Sequence, residues 1–252
     1  MKKISKGQLR LILFGVTVVL GFCGTFIYME SKSQKEKDLV KTELLGKTDN
    51  LEVLDRAINQ LFDSKEDDFV VKDLKKEQVD DLKKQVTNGL QLKDTNVLPK
   101  IDYAAFNRQA KQVKVDCTKL ETAYNAQASI NRLYQNKENQ VAMNGTRLNK
   151  DLPIADDLTE TTVNQVKMTY FKQEATTTYE KTLNTFIETA ENQVTQIKNA
   201  QAAVAKVSNG KQVVSTDRQL YATAKLEIDK IKNNKAKQAL INQLANANET
   251  KE

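Results

Sequence analysis

Apolar residues recur along most of this chain at steps of three and four, the signature of helices with one buried stripe. Nearest the N-terminal end the stripe runs through Val40, Leu44, Leu51, Leu54, Ile58 and Leu61. A second begins at Phe106 and continues through Ala110, Val113, Cys117, Leu120 and Tyr124, a heptad-like seam that shifts before Ile130 and Leu133. A third carries Tyr179, Leu183, Phe186, Ala190, Val194 and Ile197 and runs on to Val204 and Val207. Prolines occur only at 99 and 153, so little interrupts these helices.

The segments that follow suggest repetition. Ile58-Asn59-Gln60-Leu61-Phe62 returns as Ile130-Asn131-Arg132-Leu133-Tyr134, and in weaker form as Val204-Ala205-Lys206-Val207. After each comes a short extended cluster: Phe69-Val70-Val71, then Val141-Ala142-Met143 before Asn144-Gly145, then Val213-Val214. A further helix follows each, with stripes at Leu74, Val79, Leu82 and Val86, at Leu158, Val163, Val166 and Tyr170, and at Ile231, Ala236, Leu240 and Leu244. Helix starts are expected at Asp157-Leu158-Thr159-Glu160 and Thr216-Asp217-Arg218-Gln219, both with capping-box spacing. The expected fold class is therefore mainly α, an elongated array of about three helix, short β connector, helix modules at 30–100, 101–178 and 179–252.

The first 29 residues read differently. Leu11 to Met29 carry no charge, and Lys2, Lys3, Lys6 and Arg10 precede them. Nineteen residues rise about 28 Å as a helix, so 11–29 is expected to be a single transmembrane helix and signal anchor. The basic tail 1–10 would lie in the cytoplasm and the rest outside the cell membrane. A cleaved signal fits less well because its apolar stretch is shorter. A lipoprotein acylated at Cys23 fits less well because Phe22 stands where a small residue is expected.

Formal charge is +6, with a pI near 9.0. Beyond the tail the balance falls to 35 basic against 33 acidic residues, and there is no Trp, so nucleic acid is not an expected partner. From Lys198 onward ten basic residues face five acidic ones. That basic end, and Lys230, Lys232, Lys235 and Lys237 in particular, makes anionic wall polymers candidate ligands.

Catalytic chemistry is not legible. There is no histidine, which removes the usual general base and the commonest metal ligand. The pairs Asp67-Asp68, Asp80-Asp81 and Asp156-Asp157 diverge as neighbours and read as caps or solvated surface, and 63–68 departs from a calcium loop at Lys65 and Asp68. Asn144-Gly145-Thr146 is formally a glycosylation sequon but reads first as a hairpin turn. Cys117 occupies an apolar slot and reads as a small hydrophobe. No catalytic, cofactor-binding or metal-binding residue is assigned, and no enzyme activity is expected.

The C-terminal pattern of Ala202-Ala203-Val204, Lys211-Gln212-Val213-Val214, Leu220-Tyr221-Ala222-Thr223-Ala224, Ile231-Lys232-Asn233 and Ala239-Leu240-Ile241 resembles the first extracellular domain of midcell-anchored protein Z. That family comprises single-pass membrane proteins of Gram-positive cocci that mark the division site. The resemblance implies a place in a Gram-positive envelope and a role in cell division. It does not carry over ring binding, since the family's long acidic cytoplasmic region is absent here. Wall binding in that family belongs to a C-terminal domain reached by a serine-rich linker, which this chain also lacks.

Together these readings lead to the expectation of a membrane-anchored, extracytoplasmic helical tether or scaffold that binds peptidoglycan, anionic wall polymers or a protein, with a homodimer also open. The alternative is a sensor or accessory subunit that pairs with another membrane protein.

Overall fold

The computed structural model describes residues 32–63, 68–92, 102–136, 140–209 and 214–249. Among them are seven helices and one small hairpin: α1 (Lys32–Asn59), α2 (Lys76–Gly89), α3 (Ala104–Arg132), β1 (Met143–Asn144), β2 (Arg147–Leu148), α4 (Glu160–Tyr170), α5 (Thr178–Asn209), α6 (Val214–Asp229) and α7 (Asn234–Glu249). The fold is mainly helical.

The expected tail 1–10 and transmembrane helix 11–29 lie outside the described residues. Among the described residues no helix is long and apolar enough to cross a membrane. The fold class is therefore corrected to a mainly helical chain in which no transmembrane helix is shown. With it go the single-pass membrane location and the signal anchor. The physical reason is plain in the longest helix, α5, where Lys181, Glu188, Glu191 and Lys198 stand on the faces beside the apolar stripe and leave no long uncharged run.

The chain divides into two compact units, 1–61 with 75–121, and 62–74 with 122–252. In the first, the buried stripe of α1 (Leu44, Leu51, Leu54, Ile58) is joined by Val79, Leu82 and Val86 of α2 and by Phe106, Val113, Cys117 and Leu120 of α3. Gly89 ends α2 against α1, and a Cβ there would meet Leu51 at 3.3 Å. In the second, Ile130, Leu133 and Tyr134 after the α3 seam pack with Phe69, Met143, Ile154, Val163, Phe186 and Ile187. The C-terminal hairpin of α6 and α7 closes on the far part of α5 through Ala200, Val204, Val207, Ile228, Leu240 and Leu244.

The repeated pentapeptides make the same local structure. Leu61 donates its amide to the Ile58 carbonyl at 2.9 Å, and Leu133 to the Ile130 carbonyl at 3.0 Å, so each helix tightens at its last turn. The residue after each then forms a β-bridge, Phe62 with Val70 and Tyr134 with Ile154. Val204 and Val207 do not repeat this, because α5 runs past them to Asn209. The matching exit lies instead at Ile228 and Ile231, with a 3.0 Å bond from the Ile231 amide. Val214 opens α6 rather than an extended connector, and Thr216 to Gln219 lie inside that helix. The cap of α4 is Thr159, whose hydroxyl accepts from the Thr162 amide, two residues beyond the expected Asp157.

Asn144-Gly145-Thr146 is a hairpin turn. Asn144 pairs with Arg147 and Met143 with Leu148, which leaves Gly145 and Thr146 as the two-residue loop. Gly145 has φ +59°, and it stands at the first central position, where a type II′ turn needs glycine. Its Cα also lies tight on the first connector, since a Cβ would come 2.7 Å from the Val70 carbonyl oxygen. Asp73 in that connector also has positive φ, 60°, and is held there by Asn144: the Asp73 amide donates to Asn144 Oδ1 at 2.7 Å, and Asn144 Nδ2 donates to Asp73 Oδ1 at 2.8 Å. Gly145→Ala is therefore expected to destabilise the second unit by about 1–3 kcal/mol, read as a lowered urea midpoint.

Candidate functional site

Three polar groupings in the described residues could carry function. The first surrounds the connector 152–156, whose backbone forms one strand-like segment beside Leu133 to Gln135. On that side the Ala155 amide donates to the Leu133 carbonyl (3.0 Å), and the Gln135 amide donates to the Pro153 carbonyl (2.9 Å). Among the described residues no strand lies beside its other edge. Side-chain amides take its place: Gln193 of α5 accepts from the Ile154 amide and donates to the Leu152 carbonyl, both at 3.2 Å. Asn233, between α6 and α7 and only 2% exposed, donates to the Ile154 carbonyl (2.8 Å) and to Asp156 Oδ1 (3.0 Å). Its own Oδ1 accepts the Ala236 amide at 2.8 Å, which caps α7. Gln135 Nε2 also donates to Asp156 Oδ1 at 2.8 Å.

The same device occurs twice more. Asn131 of α3 accepts the Met143 amide (2.7 Å) and donates to the Met143 carbonyl (2.8 Å). Asn184 of α5 accepts the Lys172 amide (3.0 Å) and donates to the Lys172 carbonyl (2.7 Å). Gln127, also buried, receives the Gly145 amide at 2.8 Å. These amides are committed to the chain's own backbone, where they build connectors.

The second grouping is the basic run at 230–237. Each of its four lysines has an acid within salt-bridge distance: Lys230 with Glu227 (2.6 Å), Lys232 with Asp151 (3.6 Å), Lys235 with Asp156 (3.9 Å) and Lys237 with Asp229 (3.4 Å). Lys198 pairs with Glu160. Three of these acids lie outside the C-terminal stretch: Asp151 and Asp156 come from the segment before α4, and Glu160 opens α4. They raise the acidic count beside its ten cations from five to eight. Such exposed pairs contribute little stability individually, but they cancel most of the local field.

The third lies in the first unit, where Asp55 of α1 and Asp116 of α3 bring their carboxyl groups within hydrogen-bond reach. Asp55 Oδ1 is buried without a hydrogen-bond partner. Asp116 Oδ2 accepts from Gln112 at 2.7 Å. Burial first, then Asp116, then the charge of Glu52, push the Asp55 carboxyl up to about 6.

The remaining residues singled out from sequence have structural roles or none. Asp80 pairs with Lys76 at 2.5 Å, and Asp81 and Asp157 are exposed. Residues 64–67 of the calcium-like stretch, Asp67 among them, lie outside the described residues. Cys117 is a buried free thiol, pushed up chiefly by burial. Among the described residues no three His, Cys, Asp or Glu side chains are grouped to hold a metal. Asp55, Asp116, Gln193 and Asn233 were not singled out. A signal existed for the first two, since Asp55 interrupts the stripe between Leu54 and Ile58 and Asp116 adjoins Cys117 in the α3 seam.

Replacing Asn233 by alanine removes a helix cap and leaves the Ile154 carbonyl unpaired, so a loss of about 2–4 kcal/mol is expected in urea unfolding. Lys235→Ala, which removes only an exposed pair beside it, is expected to change stability by no more than about 0.5 kcal/mol.

No protein-family model matches this chain, and no curated protein or solved structure matches it either.

Proposed function

We propose that this chain is a non-catalytic helical scaffold that acts by binding a protein partner on its exposed helix faces. The observation that carries this reading is the pairing of Lys230, Lys232, Lys235 and Lys237 with Glu227, Asp151, Asp156 and Asp229. A polyanion would have to compete with four acids already in place, which weakens the case for anionic wall polymers that the linear charge count raises. The commitment of Asn131, Asn184, Gln193 and Asn233 to backbone groups argues in the same direction against chemistry, because a catalytic site needs polar groups free to meet a substrate.

What remains open to a ligand is the solvent side of long helices. There large apolar side chains stand among charges, with Leu39 and Leu45 on α1 more than 60% exposed and Leu226 on α6 at 63%. Isolated exposed leucines are ordinary on protein surfaces. Exposed on helix faces, they suit a protein contact better than a sugar polymer or a phosphate-rich one.

The test is co-sedimentation of the full-length chain with bacterial wall sacculi, with and without their anionic polymers, at low and moderate salt. The expected result is no polymer-dependent binding. Binding that disappears with polymer removal or added salt would overturn the proposal. In parallel, a photo-crosslinking residue at Leu226 or Leu39 is expected to give a discrete adduct with one protein in cells, and no adduct from either position counts against it.

A further inference from the structure

The Asp55–Asp116 contact is the one place among the described residues where two acids from different helices face each other and a buried oxygen is left without a partner. Two ionised carboxylates offer only acceptors, so within hydrogen-bond reach they attract only if one carries a proton. We propose that Asp55 and Asp116 form a proton-operated latch between α1 and α3, closed when one proton is shared and loosened when both acids are ionised.

The surroundings favour a proton over a compensating cation. From α1 itself Glu52 adds a third negative charge. From α3, Gln112 supplies a neutral donor to Asp116, not to Asp55. No cation is among the groups that shift Asp55, and Lys83 of α2 is engaged by Glu121 at 2.7 Å. The latch sits between Leu54 and Ile58 on one helix and beside Cys117 on the other, all buried, so its state bears on the apolar contact that holds α1.

The sign follows from proton binding. Asp55 is raised from 3.8 to about 6 in the fold, so the folded state holds the proton over a range in which the unfolded chain has lost it. The contribution is full below 3.8, falls as pH rises through about 6, and is absent at neutral pH. The first unit should therefore open more readily at pH 7 than in mild acid, and Asp55→Asn, which supplies a neutral side chain of the same shape, should remove that difference.

The experiment is hydrogen exchange on the full-length chain, comparing protection of α1 amides between residues 44 and 58 in wild type and Asp55→Asn at pH 4.5 and pH 7. Because the carboxyl is partly exposed, solvent screens the repulsion. The expected gain in protection for the variant at pH 7 is about tenfold, with little difference at pH 4.5 and none in α5 at either pH. Direct carbon-13 titration of the Asp55 carboxyl, which needs no variant, should give a midpoint near 6. An ordinary midpoint near 4, or a variant whose α1 protection follows the wild type at both pH values, would overturn the latch.

Discussion

Side-chain amides that take the place of a neighbouring strand are the interaction on which the second unit depends. A connector buried among helices must satisfy its backbone N–H and C=O groups, since an unpaired buried group costs about as much as a lost hydrogen bond. A sheet would do this, but among the described residues only one two-stranded hairpin is present. The chain instead presents Asn131, Asn184 and Gln193 from helix faces, each giving one acceptor and one donor to a connector, with Asn233 completing the set. Ile154, 1% exposed, can then occupy the core with both of its backbone polar groups paired.

This arrangement accounts for several features at once. Connector 152–156 is bound on one edge by Leu133 to Gln135 and on the other by α5 and the α6–α7 turn, so three separate parts of the second unit meet at a few residues. The apolar core follows the same line. Tyr134 lies in the bridge to Ile154, packs edge-on against Phe186 with centroids 5.7 Å apart, and donates its hydroxyl to the Phe186 carbonyl at 2.5 Å. Phe69, from the first connector, packs edge-on against Tyr179, whose hydroxyl donates to the Ala123 carbonyl at 3.0 Å. Polar composition that reads as solvated surface is in part structural. The scaffold reading rests on that use of polar groups and on the charge pairing around 230–237.

What could be read in advance was what depends on local period. The stripes at Leu51, Leu54 and Ile58, at Val113, Cys117 and Leu120, and at Leu183, Phe186 and Ala190 are buried because helical spacing alone places them on one face. The Asn144-Gly145 turn was legible for the same reason, as backbone chemistry confined to a few residues. The α6 start was missed because Val213-Val214 favours extended structure, whereas Val214 opens a helix whose Ala224 and Ile228 bury against α5. Asn233, Gln193 and Asp116 were illegible as partners, because each acts on a residue between 39 and 79 positions away and nothing in local spacing marks such a pair.

If helix-borne amides do hold the connector as a strand would, the Ile154 amide is the most direct witness, because its only bond is to Gln193 Oε1. Its native-state hydrogen exchange, followed beside that of Ala190 in the middle of α5, tests the claim without altering the protein. The account requires Ile154 to exchange in the same slow class as Ala190, through opening of the whole second unit. Exchange of Ile154 at the rate of an exposed loop, while Ala190 stays protected, would contradict it.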